Sequence, residues 1–241
     1  MAGHSKWNNI KQKKGKTDAQ RGKIFTKISR EITVSVKEGG GDPASNARLR
    51  DVIAKARALN VPNENIRRVI EKAAVGNSAA TYESNIYEGY GPAGAAVIVE
   101  TMTDNKNRTA ADMRHYFDKY GGNLGTEGCV AWSFDTRGVL VIDKDTGDED
   151  TVLLDALDAG AADVVSETDV FIVYTAPEEF GAVRMALEKK DYSFLSAQVE
   201  MIPQNYIKLS EDDKPKMQKL LSLLDDHDDI QNVWHNVQET E

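Results

Sequence analysis

Residues 139–202 of the sequence read VLVIDKDTGDEDTVLLDALDAGAADVVSETDVFIVYTAPEEFGAVRMALEKKDYSFLSAQVEMI. Short apolar runs rich in Val, Ile and Phe predict four strands, and two longer stretches between them have the three- and four-residue spacing of helices. The predicted order is strand (139–142), helix (149–159), strand (163–166), strand (170–175), helix (177–189) and strand (196–202). The order βαββαβ is that of the split, ferredoxin-like motif, so this stretch predicts an α+β domain.

The residues on both sides of this stretch predict a second ferredoxin-like α+β domain that is discontinuous in sequence. Strands are predicted at 95–101, 129–134, 206–209 and 231–237, with helices at 107–120 and 212–225. These elements form another βαββαβ set. We therefore expect a domain made of residues 77–136 plus 204–241, into which residues 137–203 are inserted as a third domain.

Residues 1–76 predict a basic, extended arm followed by a three-helix bundle. In the first helix, five apolar residues recur at helical spacing and lie on one side: Ile24, Phe25, Ile28, Ile32 and Val36. Glycines at 39–41 end this helix, Asp-Pro at 42–43 begins the second, and the proline at 62 begins the third. Short links between amphipathic helices favour their packing into one small bundle.

The formal net charge of −9 hides a strong asymmetry along the chain. Residues 1–75 contain 17 Lys and Arg against 7 Asp and Glu. The rest of the chain contains 13 Lys and Arg against 32 Asp and Glu. Residues 1–30 alone hold nine basic side chains and one acid, Asp18. Such asymmetry indicates a basic binding module attached to an acidic body, with nucleic-acid phosphates as the ligand. The alternative is a charged face that contacts only solvent.

The candidate nucleic-acid-binding residues lie in the arm and on the first helix. Lysine and arginine neutralise phosphates, and an indole or imidazole ring among them can stack on an unpaired base. The cations of the first helix project from the side opposite its apolar stripe, so we expect them to face solvent and their reversal to leave the fold intact. The candidates are His4, Lys6, Trp7, Lys11, Lys13, Lys14, Lys16, Arg21, Lys23, Lys27, Arg30 and Lys37.

The sequence offers no recognisable catalytic or metal-binding constellation. Cys129 is the single cysteine, the four histidines are scattered, and nucleophile and phosphate-loop motifs are absent. The glycines at 89–94 match G-x-G-x-x-G but precede a predicted strand instead of a helix, so they predict a turn. The acidic run at 225–229 lacks the spacing of a calcium loop. We expect a protein that is not an enzyme and that holds no cofactor or metal.

Two loops that flank the helix predicted at 107–120 allow two interpretations. Residues 103–109 (TDNKNRT) fit the turn that starts a helix, and residues 121–125 (GGNLG) fit a helix end with positive φ angles. The alternative is that both loops bind a ligand, because they flank the same helix. Turn chemistry accounts for most of their composition, and we therefore favour the structural interpretation.

The hydropathy of the chain favours a cytoplasmic protein. The longest strongly apolar run, residues 95–99, is far short of the roughly 20 residues of a membrane helix. The first 16 residues contain no apolar stretch of the kind that a secretory signal needs. We expect neither a signal nor a membrane partner.

Several short motifs resemble those of the YebC family and follow one another in that family's order. They are MAGHSKWNNIK at residues 1–11, EGYGP (88–92), TDN (103–105), NRT (107–109), GGNLG (121–125) and VWHN (233–236). The resemblance covers the full length and implies a helical domain followed by two α+β domains. Ala93 stands where the family pattern has glycine, and we do not expect it to disturb the turn.

The resemblance implies a regulator of gene expression. Members are usually described as cytoplasmic DNA-binding transcriptional regulators, whereas mitochondrial relatives are translational activators and bacterial ones have been linked to stalled ribosomes. We therefore expect a DNA-binding transcriptional regulator. The alternative is a ribosome-associated translation factor that contacts rRNA or tRNA, and a third hypothesis is an enzyme with its site in the cleft between the α+β domains. The acidic domains are expected to contact protein partners or to set the geometry of binding.

Overall fold

A computed structural model describes residues 18–76 and 81–238 of the chain. These residues form seven α-helices and two four-stranded antiparallel sheets, which confirms the predicted α+β class. Three of the helices precede both sheets, and the other four pack against them.

The N-terminal helices form a bundle around one aliphatic core. They are α1 (Asp18–Gly39), α2 (Ala47–Ala58) and α3 (Asn63–Ala74). All three helices contribute buried side chains to the core, among them Ile28, Leu49 and Ile66. The apolar stripe predicted for the first helix therefore does face its two neighbours.

Helix α2 begins four residues later than predicted, because its N-cap is Asn46 and not Asp42. The Asn46 side-chain oxygen accepts the backbone N–H of Leu49 at 3.0 Å. Its amide group donates to the carbonyl oxygens of Ser35 and Gly40, each at 2.8 Å. The cap thus also fastens α2 to the end of α1.

After the bundle the chain forms a hairpin, a helix and a short strand. These are β1 (Glu83–Tyr90), β2 (Ala96–Thr103), α4 (Lys106–Lys119) and β3 (Asn123–Leu124). β1 pairs with β2 along its whole length, and β3 pairs with the other edge of β1. The sequence prediction lacks β1, because the first three residues of this strand are polar.

The next six elements form the second sheet and its two helices. They are β4 (Phe134–Asp143), α5 (Glu149–Asp158), β5 (Asp163–Ser166), β6 (Val170–Thr175), α6 (Phe180–Glu188) and β7 (Phe194–Pro203). The sheet order is β5-β6-β4-β7, and every neighbouring pair is antiparallel. The chain order βαββαβ is the predicted one, and α5 and α6 cover one face of the sheet.

The chain then returns to the first sheet with α7 (Lys214–Asp226) and β8 (Ile230–His235). β8 pairs with β2, which gives the sheet order β3-β1-β2-β8. Helices α4 and α7 pack on one face of this sheet around Phe117 and Leu220. The domain limits predicted at residues 76, 136 and 203 stay a prediction, and β4 begins two residues before the second of them.

Two strands predicted for the first sheet are wrong. Residues 129–133 form turns and a short 3-10 helix, and of residues 206–209 only Ile207 forms a β-bridge, to Val237. The first sheet is therefore built from a hairpin, a helix and a strand before the insertion, and from a helix and a strand after it. This order differs from the second βαββαβ set that the sequence predicts.

The buried carboxylate of Glu88 on β1 explains why residues 129–133 do not extend as a strand. Its oxygens accept hydrogen bonds from the backbone N–H groups of Gly128, Val130 and Ala131 at 2.7, 3.0 and 2.9 Å. Burial raises the pKa of Glu88, but these three donors outweigh it and hold the pKa below its ordinary value. The loop's N–H groups are thus satisfied by a carboxylate instead of a neighbouring strand.

The turn predicted at 89–94 also forms, between β1 and β2. Ala93 lies in it with a φ of 56°, the left-handed region that glycine adopts without steric cost. The turn therefore forms with alanine at this position, and the backbone of Ala93 is strained. Gly89 is needed for another reason, since a Cβ atom there would lie 2.6 Å from the carbonyl oxygen of Asn123 on β3.

Replacing Glu88 by Gln is expected to lower the free energy of unfolding by about 2–3 kcal/mol. The amide keeps one acceptor oxygen, and its NH2 group would face a backbone donor inside the protein. Urea unfolding followed by circular dichroism measures the change. Glu83→Gln, an exposed position on the same strand, is the control and should cost less than about 0.5 kcal/mol. Equal losses for the two variants would contradict the role of Glu88.

Candidate nucleic-acid interface

The predicted site residues divide into two groups. Seven of them lie outside the described residues: His4, Lys6, Trp7, Lys11, Lys13, Lys14 and Lys16. The other five lie on α1: Arg21, Lys23, Lys27, Arg30 and Lys37. Arg21 and Lys37, near the two ends of the helix, are exposed.

Three of these cations contact the acidic turn, defined as residues 225–229 between α7 and β8. Lys23 Nζ lies 2.7 Å from Asp226 Oδ1. Lys27 Nζ donates to the carbonyl oxygen of Asp225 at 2.8 Å. The expectation that this face of α1 points to solvent is therefore wrong. The side opposite the bundle core packs instead against the end of α7.

Arg30 is the most deeply placed of the three, with its side chain 15% exposed. Its Nη1 atom lies 2.5 Å from Asp229 Oδ1 and donates to the carbonyl oxygens of Asp228 and Met102 at 2.9 and 3.1 Å. Its guanidinium carbon also lies 5.2 Å from the ring centroid of Tyr82. Arg30 thus joins the bundle to the first sheet, and we now expect its charge reversal to destabilise this contact instead of leaving the fold intact.

The Asp229 carboxylate is nearly buried, and four side chains donate to it. Besides Arg30, these are Thr103 (3.0 Å), Arg108 (2.9 Å) and Thr109 (2.8 Å), all on Oδ2. Burial raises the pKa of Asp229, but the hydrogen bonds from Arg108, Arg30 and the two threonines outweigh it and hold the pKa far below its usual range. We refer to Asp229 and these four donors as the Asp229 hub.

The hub and the adjoining helix cap involve five of the six residues of the TDN and NRT motifs. Thr103, Arg108 and Thr109 supply donors, and Asn105 caps α4 by accepting the backbone N–H of Arg108 at 3.1 Å. Asp104 also lies 2.9 Å from Arg108 Nη2. These contacts support the structural interpretation of this loop. The sequence motif alone did not reveal that its partner carboxylate follows about 120 residues later.

His227 completes the acidic turn with two contacts of its own. Its Nε2 lies 3.1 Å from Asp112 Oδ2, and its Nδ1 accepts the backbone N–H of Asp229 at 3.1 Å. The acidic turn is therefore held by α1 and α4 together. Within residues 18–76 and 81–238, no group of three or more His, Cys, Asp or Glu is placed to hold a metal ion.

The contacts between α1 and the acidic turn weaken toward the N-terminal end of the helix. Arg30 and Asp229 are largely shielded from water, whereas the side chains of Lys23 and Asp226 are 39% and 58% exposed. The hydrogen bond to Asp226 raises the pKa of Lys23, but solvent screening makes such an exposed pair a weak constraint. An external anion can therefore compete for Lys23 far more easily than for Arg30.

Helix α3 carries two exposed cations that the candidate set omitted, Arg68 and Lys72. They are four residues apart, so they lie on one side of the helix. Neither forms an ion pair within the described part of the chain, whereas their neighbour Arg67 pairs with Glu64 and Glu71. The four-residue spacing of cations was the sequence signal that could have identified them.

A cavity of about 210 Å³ lies where the bundle meets both sheets. Lys55 and Glu31 form an ion pair at its wall, with 2.7 Å between Nζ and Oε1. A charged contact also joins the bundle to the second sheet unit, since the buried Arg184 on α6 lies 2.9 Å from Asp51 on α2, which lines the same cavity. The residues that line the cavity include the titratable side chains of Glu31, Asp51, Lys55 and Glu100, but no Ser, Thr, Cys or His.

Comparison with known proteins gives one consistent family. Residues 5–76 match the model of the TACO1/YebC protein N-terminal domain, and residues 82–237 match that of the TACO1/YebC second and third domain. A protein of Clostridium beijerinckii called "Probable transcriptional regulatory protein" is 57% identical over 99% of this chain and 97% of its own length. A protein of Acetivibrio thermocellus with the same name is 57% identical over 98% of each chain.

A solved structure is similar to this chain over nearly its whole length. The crystal structure of a conserved hypothetical protein from Aquifex aeolicus has a TM-score of 0.83 and 42% sequence identity. The match covers 94% of this chain and 93% of that one. Separately, no helix among residues 18–76 and 81–238 is long and apolar enough to span a membrane.

Replacing Asp229 by Asn is expected to lower the free energy of unfolding by about 3 kcal/mol or more. The substitution keeps the shape of the side chain but removes the negative charge that compensates the shielded Arg30. Urea unfolding measures the loss, with the exposed Asp212→Asn as a control that should change stability by less than about 0.5 kcal/mol. A loss no larger than that of the control would refute the hub.

The effect of Asp229→Asn should also depend on pH, in a direction set by the lowered pKa of Asp229. In the unfolded chain the aspartate titrates near 3.8, while in the folded protein it stays ionised to lower pH. Its contribution to stability is therefore complete above about pH 5 and is lost as the pH falls through the folded pKa. The difference in unfolding free energy between the native protein and the Asp229→Asn variant should become smaller as the pH is lowered from about 6 to 3.

Proposed function

Because the chain belongs to the TACO1/YebC family, we propose that it is a nucleic-acid-binding regulator of gene expression, with DNA as the nucleic acid and transcription as the process. The names of the relatives support a regulatory role without catalysis. The protein acts in the cytoplasm, and its basic N-terminal residues provide most of the binding energy. We assign no cofactor to this function.

The observation that carries the proposal is the excess of positive charge at one end of an acidic chain. Residues 1–75 contain 17 basic and 7 acidic side chains. The contacts of α1 add support, because Lys23, Lys27 and Arg30 already bind carboxylate and carbonyl oxygens. A phosphate group presents the same kind of oxygen acceptor to lysine and arginine.

The proposal assigns different tasks to the two groups of candidate residues. Lys6, Lys11, Lys13, Lys14 and Lys16 neutralise phosphates, while Trp7 and His4 stack on a base. On α1, Arg21 and Lys37 add charge at the two ends, and Lys23 and Lys27 reach phosphates when they leave the acidic turn. Arg30 stays in the Asp229 hub and acts in positioning the helix.

Replacing the five arm lysines (residues 6, 11, 13, 14 and 16) by Gln is expected to reduce affinity for a labelled 20-base-pair DNA by at least about a hundredfold at low salt, because phosphate contacts dominate such binding. The control replaces the same lysines by Arg, which keeps the charge and should keep the affinity. Fluorescence anisotropy measures both. For about five neutralised phosphates, affinity of the native chain should fall roughly 500-fold between 50 and 200 mM salt.

Two outcomes of this titration would contradict the proposal in different ways. A flat salt response, or equal affinity of the Gln variant, would contradict binding through phosphates. Strong preference for single-stranded RNA over the duplex, together with co-sedimentation of the protein with ribosomes, would contradict DNA as the target and favour the translation-factor alternative. In that case Trp7 and His4 would be the expected source of the preference.

Replacing Asp226 by Asn is expected to raise DNA affinity a few-fold. Lys23 then no longer has to break its ion pair with the Asp226 carboxylate before it binds a phosphate. The same change at Asp212, an exposed acid outside the acidic turn, is the control. Both variants lose one negative charge, so any general electrostatic effect is shared. Equal affinities of the two variants would show that the acidic turn does not compete with nucleic acid for α1.

A further inference from the structure

Helix α5 exposes three leucines on the outer surface of the second sheet unit. Leu153, Leu154 and Leu157 are 37%, 62% and 46% exposed. At 100° per residue they lie within about 100° of one another, so they form one stripe along the helix. Val152 and Ala156, which are fully buried, hold the opposite side of α5 against the sheet. The stripe is therefore not needed for the packing of α5.

Carboxylates flank this leucine stripe at both ends. Asp150 is exposed and lies one turn before Leu153 and Leu154, and Asp158 is exposed and lies one turn after Leu154. Helix α5 contains no Lys or Arg. The unit around it, residues 134–203, contains 16 acidic and 5 basic side chains. The surface is thus apolar along its centre and mostly negative around it, with one cation, Lys190, paired to Asp155 on the side of α5.

This combination limits what can bind there. Nucleic acid and anionic membranes carry negative charge and would be repelled. A second copy of the same helix would bring two acidic surfaces together, since a two-fold contact pairs each patch with itself. A helix with apolar side chains on one side and Lys or Arg beside them can pack on the leucines and form ion pairs with the carboxylates.

We propose that the leucine stripe of α5 is a docking site for a basic amphipathic helix of a partner protein. The partner's apolar residues pack on Leu154 and Leu157, and its cations lie opposite Asp150 and Asp158. Apolar contacts at the centre supply most of the affinity, and the charges around them select the partner. This interaction does not depend on nucleic-acid binding, which the proposed function places on the N-terminal residues.

A synthetic amphipathic peptide of Leu and Lys, about 14 residues long so that it can form a helix, serves as the probe. Isothermal titration calorimetry measures its binding to the full chain, and a peptide with Glu in place of Lys should not bind. We expect the double variant Leu154→Gln/Leu157→Gln to raise the Kd at least about tenfold. Its circular dichroism should be unchanged, because Val152 and Ala156 still anchor the helix.

A matched pair of charge variants separates the local site from general electrostatics. Asp150→Asn/Asp158→Asn should raise the Kd roughly threefold to tenfold, and Glu127→Gln/Asp212→Asn, which removes two exposed charges elsewhere, less than about twofold. Peptide-induced amide chemical shifts should be confined to α5 and the adjoining α6.

The proposal is overturned if the peptide does not bind, if the leucine variant binds it unchanged, or if both charge variants weaken binding equally. Shifts centred on the acidic turn would also overturn it. Sedimentation velocity of the protein alone tests for another occupant. A dimer that the leucine variant abolishes would assign the stripe to a second copy of this chain instead.

Discussion

The carboxylate of Asp229 joins parts of the chain that are far apart in sequence. It accepts hydrogen bonds from Arg30 in the bundle and from Thr103, Arg108 and Thr109 around the start of α4. A shielded carboxylate is stable only when its charge and its lone pairs are satisfied. This one side chain therefore helps to fix the position of the bundle on the first sheet, together with the contacts of Lys23 and Lys27 to the acidic turn.

Sequence reasoning succeeded where burial leaves a simple pattern and failed where a single polar contact decides the structure. The βαββαβ unit was predicted because its strands are short apolar runs, such as residues 170–175, that are buried in the sheet. β1 was missed because its first three residues are polar. Residues 129–133 were misread because they are apolar enough for a strand, and only Glu88 reveals that their N–H groups point elsewhere.

The cationic side of α1 faces the acidic turn instead of solvent for a physical reason of the same kind. Helical periodicity shows which side chains avoid the bundle core, but it does not show whether they meet water or another domain. Lys23, Lys27 and Arg30 contact the acidic turn, whose five residues form a separate acidic run in the sequence. The only sequence signal for this contact is the presence of opposite charges about 200 residues apart. Predicting that they pair requires knowledge of the topology.

The Asp229 hub also fixes an order of events during synthesis of the chain. Arg30 leaves the ribosome almost 200 residues before Asp229, and domains generally fold as they emerge, from the N-terminus onward. The bundle draws its core from residues 28–73 and is complete while its cationic side still has no acidic turn to contact. Until residues 225–229 have been synthesised, the cations of helix α1 at positions 23, 27 and 30 therefore have no acidic turn to contact. Only completion of α7 and the acidic turn, near the end of translation, covers that helix.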